Sequence, residues 1–335
     1  MNGRAPRVGY VVSCHNYGRY LAQAIDSLLG QTFKDIEILV MDDGSTDETA
    51  AVLHSHEHDE RVRIIRHEQR RGHLPSNNEG LSLTTADFVG IFDADDFLLR
   101  SDVVERQVRL FDANPRIGFV YNGYLLVDED GRPYREFLPW PGDYVRSGLD
   151  EFRTLIKSLY VPHSSTLVRR SFHDRAEVYD LSLPYSADWD VWLRLAAKHD
   201  VGYLGECLLA YRQHTSQMTQ QRITPRAATD NLLRTIDNAF AALPAGVARD
   251  LASLRRDAID RALLHQTKTD RSLGRVRRSW SGLVDAARRS PRLLVTPAFH
   301  WDLVRLLLLT LVGHASYVRL VTMHDRLAGG KAPVA

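Results

Sequence analysis

The sequence predicts an α/β fold in which a mixed, mostly parallel, Rossmann-like sheet is flanked by helices. Through the first hundred residues, short apolar segments bounded by turn residues alternate with segments of helical period, as in parallel sheets with crossover helices. From about residue 223 onward the strand signals disappear and helical periods continue. We therefore predict one α/β domain over residues 1–222 and a helical C-terminal extension over residues 223–335.

The predicted elements of the first half follow one another in a regular order. Val8–Ser13 is the first strand, and Tyr20–Leu29 is a helix whose apolar residues form one stripe. Ile36–Met41 is almost entirely apolar, as expected for a strand buried on both faces. Val62–Arg66 and Phe88–Phe92 supply two more strands.

Two S-x-x-E patterns predict the starts of further helices. Ser45 with Glu48, and Ser76 with Glu79, have the spacing of a capping box, in which each side chain bonds a free backbone N–H at the helix start. We expect one helix to begin at each pattern.

Beyond residue 114 the pattern changes. Gly118–Asn122 and Tyr124–Asp128 read as two antiparallel strands. Pro133–Gly148 is rich in Pro, Gly and aromatic residues and predicts a loop over the site. Asp188–Ala197 reads as a helix and Leu208–Arg212 as a short strand.

Three polar clusters each follow a predicted strand directly. They are Ser13–Asn16, Asp42–Ser45 and Asp93–Asp96. In open α/β sheets ligands bind outside the carboxyl ends of the strands, so the three clusters are expected to converge on one crevice. The third holds three carboxylates in four positions, a charge density that suits a hard divalent cation beside phosphate oxygens.

The composition excludes several classes of protein. Hydrophobic residues make up 44% and charged residues 25% of the 335 residues, which is ordinary for a globular protein. The sequence contains neither GxGxxG nor GxxxxGK[ST], which disfavours dinucleotide oxidoreductases and P-loop NTPases. Cys14 and Cys207 are the two cysteines and form no CxxC pair, so a reducing compartment is expected. The N-terminus does not read as a signal peptide, and we expect a cytoplasmic protein.

The polar clusters belong to a longer series of motifs that occur in a recognisable order. They are Val12–Asn16, Ser27–Phe33, Ile38–Asp47, Asn77–Gly80, Asp93–Asp95, Asp188–Arg194 and Tyr211–His214. This series closely resembles the nucleotide-sugar glycosyltransferases of family 2, over roughly residues 7–220. The resemblance implies a GT-A fold with a nucleotide-sugar-binding half over about residues 7–117 and an acceptor half over residues 118–222.

For the donor, the resemblance assigns roles to five residues. Asp43 is expected to accept a hydrogen bond from the nucleotide base, with Ser13 and Asp42 beside it, because an anionic acceptor makes a charge-assisted bond with a base N–H. Arg71 lies where relatives contact the base or the phosphate. Asp93 is expected near the ribose.

For the metal, the resemblance implies Mg²⁺ or Mn²⁺ that bridges the diphosphate. Asp95 and His214 are the expected protein ligands, and imidazole with carboxylate and phosphate oxygens suits Mn²⁺. Asp96 is expected to support the site through a metal-bound water or a backbone N–H. Such a metal acts as a Lewis acid on the departing diphosphate.

For the transfer itself, inversion at the anomeric carbon needs a base that takes the proton of the acceptor hydroxyl. Asp188 is the candidate, and a helix N-cap is the alternative role for it; Asp190 ranks second. Many relatives have Glu-Asp where this chain has Ala187-Asp188, so one supporting carboxylate is missing. Trp189 offers an aromatic face for a sugar, but its helical spacing favours a core position first.

The resemblance thus implies an inverting, metal-dependent glycosyltransferase. The donor is a nucleoside diphosphate sugar, and the acceptor is a hydroxyl of a glycan or of a lipid-linked acceptor, in cell-surface polysaccharide or glycoconjugate synthesis. The first alternative is a nucleotidyltransferase, although the segment His15–Arg19 has one Gly where those enzymes have a Gly-rich loop. The second is a catalytically silent sugar-nucleotide-binding scaffold.

The C-terminal extension carries an uneven share of the charge. Residues 271–335 hold ten Arg and one Lys against three Asp, a net charge of +8, which leaves −7 for the rest of a chain whose total is +1. The apolar run Leu303–Val312 is too short to span a bilayer, which takes about 20 residues. One interpretation is a helical subdomain with a solvated basic face, and the other is peripheral attachment to an anionic membrane surface on its inner face. Nucleic-acid binding is not expected, because aromatic residues do not alternate with the basic ones.

Overall fold

The computed structural model describes residues 5–172, 178–214 and 225–327. The chain divides into two compact units. The first consists of Met1–Gln221 together with Ala241–Pro244, and the second of Arg222–Phe240 together with Ala245–Ala335.

Within the described residues, the first unit is built on a ten-stranded mixed sheet. Its strands are β1 Val8–Cys14, β2 Ile36–Asp42, β3 Val62–Arg66, β4 Phe88–Asp93, β5 Phe97–Leu98, β6 Ile117–Val127, β7 Pro133–Phe137, β8 Tyr144–Arg146, β9 Leu167–Arg169 and β10 Asp200–Arg212. The strand order is β3-β2-β1-β4-β9-β6-β10-β5, with β7 beside β6 and β8 beside β10. This sheet confirms the predicted α/β class.

Six helices belong to this unit in the described part of the chain. They are α1 Gly18–Leu29, α2 Thr49–His56, α3 His73–Leu83, α4 Val103–Ala113, α5 Gly148–Leu155 and α6 Ala187–Ala196. A short 3-10 turn, His163–Ser165, precedes β9. The predicted stripe of α1 is buried, from Leu21 to Leu28, because apolar side chains three and four residues apart share one helix face.

Parallel pairing brings the polar clusters to the same edge of the sheet. In the register of β1, Ser13 lies opposite Met41 of β2 and Asp93 of β4, and Cys14 lies opposite Asp42. The strands β1, β2 and β4 therefore end together. The loops that follow them therefore lie together at the carboxyl edge of the sheet, where the sequence predicted a crevice.

The two predicted capping boxes are wrong. α2 begins at Thr49, where the carboxylate of Asp47 accepts the Thr49 N–H at 3.1 Å, while Ser45 Oγ accepts the Asn16 N–H at 2.9 Å. α3 begins at His73, so Ser76 lies inside it. Contacts with neighbouring loops override the local pattern, since cap propensity is worth only about 1 kcal/mol.

The predicted strand pair over residues 118–128 is instead one strand, β6. Gly123 makes no turn there: a Cβ at this position would lie 2.9 Å from the carbonyl oxygen of Glu206 and 3.1 Å from that of Phe137. The glycine permits close approach of neighbouring backbones. The turn follows Asp128 and leads into β7, so the predicted loop over residues 133–148 contains two short strands.

The second unit is helical in its described part. Its helices are α7 Pro225–Ala241, α8 Ala245–Asp250, α9 Ala252–Ser272, α10 Val276–Arg289, α11 Pro297–Val312 and α12 His314–Leu327. Leucines of α9, α10 and α11 form its core, with a buried ion pair of Arg271 and Asp302 at 2.6 Å. Among the helices of residues 5–172, 178–214 and 225–327, none has the length and apolarity needed to cross a membrane.

Candidate active site

The turn after β4 carries the three clustered carboxylates into the crevice. The Asp96 N–H donates to the Asp93 carbonyl at 3.1 Å and closes the turn. Ser164 Oγ accepts the Asp93 N–H at 3.0 Å and ties the turn to the 3-10 segment. Burial raises the pKa of Asp93 to about 6, and the negative charges of Asp95 and Asp188 add to that rise.

Asp96 is the most buried of the three carboxylates. Its Oδ1 accepts the backbone N–H of Arg212 at 3.0 Å. Its Oδ2 is buried and has no hydrogen-bond partner among the residues that the structure describes. Burial, and then the charges of Asp95 and Asp93, raise the pKa of Asp96 well above its ordinary value. If all three carboxyls ionised, the turn would therefore hold more negative charge than the protein compensates.

His214 at the end of β10 faces this turn. Its Nε2 lies 3.0 Å from Oδ2 of Asp95, and both side chains are largely buried. The imidazole packs against Tyr17 and Tyr20, with ring centroids 5.4 and 5.1 Å away. The two residues that the sequence assigned to a metal are thus brought into direct contact.

These residues fit a divalent cation that takes most of its ligands from elsewhere. Among the described residues, no group of three or more His, Cys, Asp or Glu side chains is arranged to hold a metal alone. Asp95 and His214 offer a carboxylate oxygen and an imidazole nitrogen, and the unpartnered Oδ2 of Asp96 marks charge that a cation would offset. This donor set suits Mn²⁺ or Mg²⁺ that also binds phosphate and water oxygens.

Arg212 holds the end of β10 against the carboxylate turn. Its Nε donates to the carbonyl oxygen of Asp95 at 2.8 Å, and its Nη2 donates to Gln23 at 2.7 Å. The guanidinium also lies 4.6 Å from the ring centroid of Tyr20. The sequence prediction gave Arg212 no role of its own, although it lies in the motif Tyr211–His214. Its contacts fix the position of His214 relative to Asp95.

Asp43 organises the loop before α3. Its Oδ1 accepts the Arg71 N–H at 2.7 Å and lies 3.0 Å from Nδ1 of His67, and its Oδ2 accepts the Gly72 N–H at 2.7 Å. Its side chain is 3% exposed. Burial pulls the pKa of Asp43 upward, but these donors outweigh burial and hold the pKa below its usual value.

The other residues that the resemblance assigned to the donor lie close by. Asp42 Oδ1 accepts the Ser45 N–H at 3.0 Å and closes the turn after β2. The Arg71 side chain is 56% exposed, and its Nη1 donates to Glu79 at 2.9 Å. Nε2 of His67 lies 2.9 Å from the same Glu79 oxygen. The sequence prediction missed His67 and Glu79 as members of this network, because their partners are 24 and 12 residues away in the chain.

Asp188 lies in the first turn of α6. The N-cap position is Ser186, so the predicted N-cap role of Asp188 is wrong; its Oδ1 accepts the Trp189 N–H at 2.7 Å. Burial raises the pKa of Asp188. Its charge also acts on Asp93, so the two carboxyl groups lie near each other.

The two other candidates on α6 are part of the core. Asp190 is fully buried, and its Oδ2 accepts Nε of Arg194 at 2.7 Å. Trp189 is buried, and its Nε1 donates to the carbonyl oxygen of Leu155 at 2.7 Å. The structure therefore places Trp189 in the core position that its helical spacing favoured. The buried ion pair of Asp190 leaves Asp188 as the candidate base on this helix.

Comparison with known sequences identifies relatives of the chain. The sequence model of "Glycosyl transferase family 2" matches residues 10–175, about half of the chain. An uncharacterized glycosyltransferase of Haemophilus influenzae is 25% identical over 221 residues, which are 63% of this chain and 67% of that protein. The putative teichuronic acid biosynthesis glycosyltransferase TuaG of Bacillus subtilis is 26% identical over 217 residues, which are 63% of this chain and 81% of TuaG.

Comparison with solved structures shows the same fold. S. aureus TarS 1–349 in complex with UDP-GlcNAc superposes with a TM-score of 0.70 and 14% identity, covering 98% of this chain and 93% of that one. The mannosyltransferase PcManGT of Pyrobaculum calidifontis, in complex with GDP-Man and Mn²⁺, superposes with a TM-score of 0.56 and 16% identity, covering 97% of this chain and 86% of that one.

The family match, the similar sequences and the shared GT-A fold agree with the motifs that first suggested the resemblance. The chain is a glycosyltransferase and belongs to glycosyl transferase family 2.

Proposed function

We propose that the chain is an inverting, metal-dependent glycosyltransferase that moves a sugar from a nucleoside diphosphate sugar to a hydroxyl of a glycan or lipid-linked acceptor. The observation that carries the proposal is the contact between Asp95 and His214 at 3.0 Å, in the crevice that Asp188 also faces. A role in cell-surface polysaccharide synthesis is supported by the similarity to TuaG. A nucleotidyltransferase is not proposed, because the family match and the named relatives are all glycosyltransferases.

The donor is proposed to bind where β1, β2 and β4 end. A carboxylate has about four acceptor positions, and the protein's own donors occupy three of those of Asp43. The fourth remains for an N–H of the nucleotide base. Ser13 and Asp42 border the same strand ends, Asp93 is proposed to face the ribose, and the exposed guanidinium of Arg71 is suited to the base or the phosphates.

The metal is proposed to bind at Asp95 and His214, with Asp96 in support. When bound, Mn²⁺ or Mg²⁺ would offset the negative charge that develops on the departing nucleoside diphosphate. The charge excess of the turn Asp93–Asp96 supports this assignment. PcManGT, which has a similar fold, is known in complex with Mn²⁺.

The base is proposed to be Asp188. The acceptor oxygen forms a bond to the anomeric carbon, the bond from that carbon to the diphosphate oxygen breaks, and the acceptor proton passes to Asp188. One displacement of this kind inverts the configuration at the anomeric carbon. The raised pKa of Asp188 makes it a better proton acceptor than an ordinary aspartate.

The experiment that tests this function is a thermal-shift panel of UDP-, GDP-, dTDP- and CMP-sugars, each with and without Mn²⁺. A ligand at about 100 times its dissociation constant stabilises the folded state by roughly 2.7 kcal/mol. We expect one nucleotide class to stabilise the protein in a Mn²⁺-dependent way, and Asp95→Ala to abolish that effect. The exposed Glu60→Ala is the matched control. Stabilisation that is equal with and without Mn²⁺ contradicts the metal site.

The second unit is proposed to rest on the inner, cytoplasmic face of an anionic membrane. Several apolar side chains on and before α11 are exposed: Val295 at 81%, Trp301 at 64% and Leu311 at 82%. The same unit carries exposed arginines, among them Arg277 and Arg288. Apolar side chains beside cationic ones are suited to the boundary between acyl chains and anionic headgroups. A lipid-linked acceptor would be found at the same surface.

A further inference from the structure

His163 is a residue of the crevice to which the sequence pattern assigns no role. It is the first residue of the 3-10 turn His163–Ser165. The next residue, Ser164, accepts the backbone N–H of Asp93 through its Oγ at 3.0 Å. The turn that contains His163 therefore lies beside the end of β4. The charge of the His163 imidazole also acts on both Asp93 and Asp188 and opposes the rise of their pKa values.

The orientation of the His163 ring is fixed by two aromatic neighbours. Tyr179 meets it nearly edge-on, with ring centroids 5.2 Å apart and an interplanar angle of 85°, and Trp192 lies 6.0 Å away at 70°. Edge-to-face contacts of this kind are favourable aromatic geometries. The ring is held in one position between them.

The two aromatic neighbours are themselves held by hydrogen bonds. The amide of Asn78 donates to the Tyr179 carbonyl at 2.8 Å and accepts the Tyr179 N–H at 2.9 Å. Nε1 of Trp192 donates to the carbonyl of Val161 at 3.1 Å. Support of this kind is typical of preorganised binding residues.

The imidazole Nε2 is buried and has no hydrogen-bond partner within residues 5–172, 178–214 and 225–327. Neither Asp93 nor Asp188 is bonded to it, although both are close enough to interact with its charge. Buried polar atoms in folded proteins nearly always have a partner, and an unpartnered one loses its hydration without compensation. The His163 ring is fixed in orientation and its Nε2 lacks a partner among the described residues. This arrangement is suited to a ligand that supplies the missing hydrogen bond.

We propose that Nε2 of His163 hydrogen-bonds a hydroxyl of the sugar that is transferred, and so helps to select that sugar. The inference rests on the proposed function, in which the sugar lies between the donor side at Asp93 and the base Asp188. An imidazole nitrogen can donate or accept according to tautomer, and a hydroxyl can do both. The link from Ser164 to Asp93 places His163 on the donor side of that space.

The test compares the binding of nucleoside diphosphates and nucleotide sugars to the full-length protein by calorimetry with Mn²⁺. The probes are UDP, GDP and dTDP against UDP-glucose, UDP-N-acetylglucosamine, GDP-mannose and dTDP-glucose. His163→Phe retains an aromatic ring against Tyr179 and Trp192 but removes the nitrogen, and His163→Gln restores a polar group at similar reach. The exposed His58→Phe is the matched control.

We expect His163→Phe to weaken binding of the preferred nucleotide sugar about tenfold, with the affinity for its nucleoside diphosphate unchanged. His163→Gln is expected to recover part of the loss, and the circular dichroism of both variants to match that of the wild type. An equal loss for diphosphate and sugar, or no loss for either, overturns the inference, as does an effect confined to the KM of the acceptor. Failure of the wild type to bind any nucleotide or nucleotide sugar instead overturns the proposed function.

Discussion

Nε2 of His214 lies 3.0 Å from Oδ2 of Asp95, although 119 residues separate the two in the chain. The first residue follows β10 and the second follows β4, so the contact joins the two halves of the sheet. Arg212 strengthens this junction, because its backbone N–H bonds Asp96 and its side chain bonds the Asp95 carbonyl.

His214→Gln is expected to lower the apparent affinity for Mn²⁺ in the transfer assay by at least about tenfold, because a neutral amide replaces an imidazole ligand. The measurement is the transfer rate as a function of Mn²⁺ at saturating donor. The control is His54→Gln, which changes an exposed histidine. An unchanged Mn²⁺ dependence would show that His214 is not a ligand.

Asp188→Asn is expected to lower kcat by about 10²–10⁴, the range that a general base contributes, with donor affinity within about twofold of the wild type. An amide keeps the shape of the side chain but cannot take the acceptor proton. Single-turnover rates and donor titrations separate the two effects. Transfer at a near wild-type rate would show that Asp188 is not the base.

Asp190→Asn on the same helix is expected to act on stability instead. Removing the charge of one partner breaks the buried ion pair with Arg194 and costs about 3–5 kcal/mol. Chemical denaturation should show this loss, while kcat per folded molecule stays within a few-fold of the wild type. A drop in kcat as large as that of Asp188→Asn, with unchanged stability, would indicate that Asp190 rather than Asp188 is the base.

Without metal, the contribution of Asp93 to stability is expected to fall as pH rises from about 4 to about 6. Burial raises the pKa of Asp93 from 3.8 to about 6 in the folded state, so this carboxyl favours folding while it is protonated and opposes folding once it is ionised. Asp93→Asn in EDTA at pH 7.5 should therefore raise the free energy of unfolding by on the order of 1 kcal/mol. Thermal melts of both proteins across pH 4–8 test this, and a difference in melting temperature between Asp93→Asn and the wild type that does not grow with pH contradicts it.

Replacement of Trp301 and Leu311 by Glu is expected to abolish flotation of the full-length protein with anionic vesicles at low salt. The two side chains are exposed on α11, and the new charges oppose insertion next to anionic headgroups. Leu159→Glu, which changes an exposed leucine of the first unit, should leave flotation unchanged. If the wild type does not float with vesicles rich in phosphatidylglycerol, the membrane proposal fails.

Much of the first unit could be predicted from local sequence. The strands β1, β2 and β4 are almost continuously apolar, and each ends where a polar cluster begins, so their burial and their shared edge follow from hydrophobic pattern alone. The burial of the apolar stripe of α1 could be predicted for the same reason. Patterns of period 2 and 3.6 report which face of an element is buried.

Elements whose limits depend on contacts with distant segments of the same chain were harder to predict. Gly123 appeared to divide two strands, and only the approach of the Glu206 and Phe137 backbones shows that it lies inside β6. The starts of α2 and α3 depend on contacts of Asp47 and of the loop around Asp43. Gly18 bonds Asp47 from 29 residues away and Arg71 bonds Asp43 from 28 residues away, and no local window contains these pairs.

The sequence by itself determined the α/β class, the strand ends at which the site would lie, and the resemblance to family 2. Tertiary structure alone decided which polar residues act together: His67 with Asp43 and Glu79, Arg212 with Asp95, and the unpartnered Nε2 of His163. The physical reason is that the periodicity of apolar residues, which determines the buried face of an element, depends on residues only a few positions apart. Hydrogen bonding and charge compensation depend on side chains that only the folded sheet brings within 3 Å.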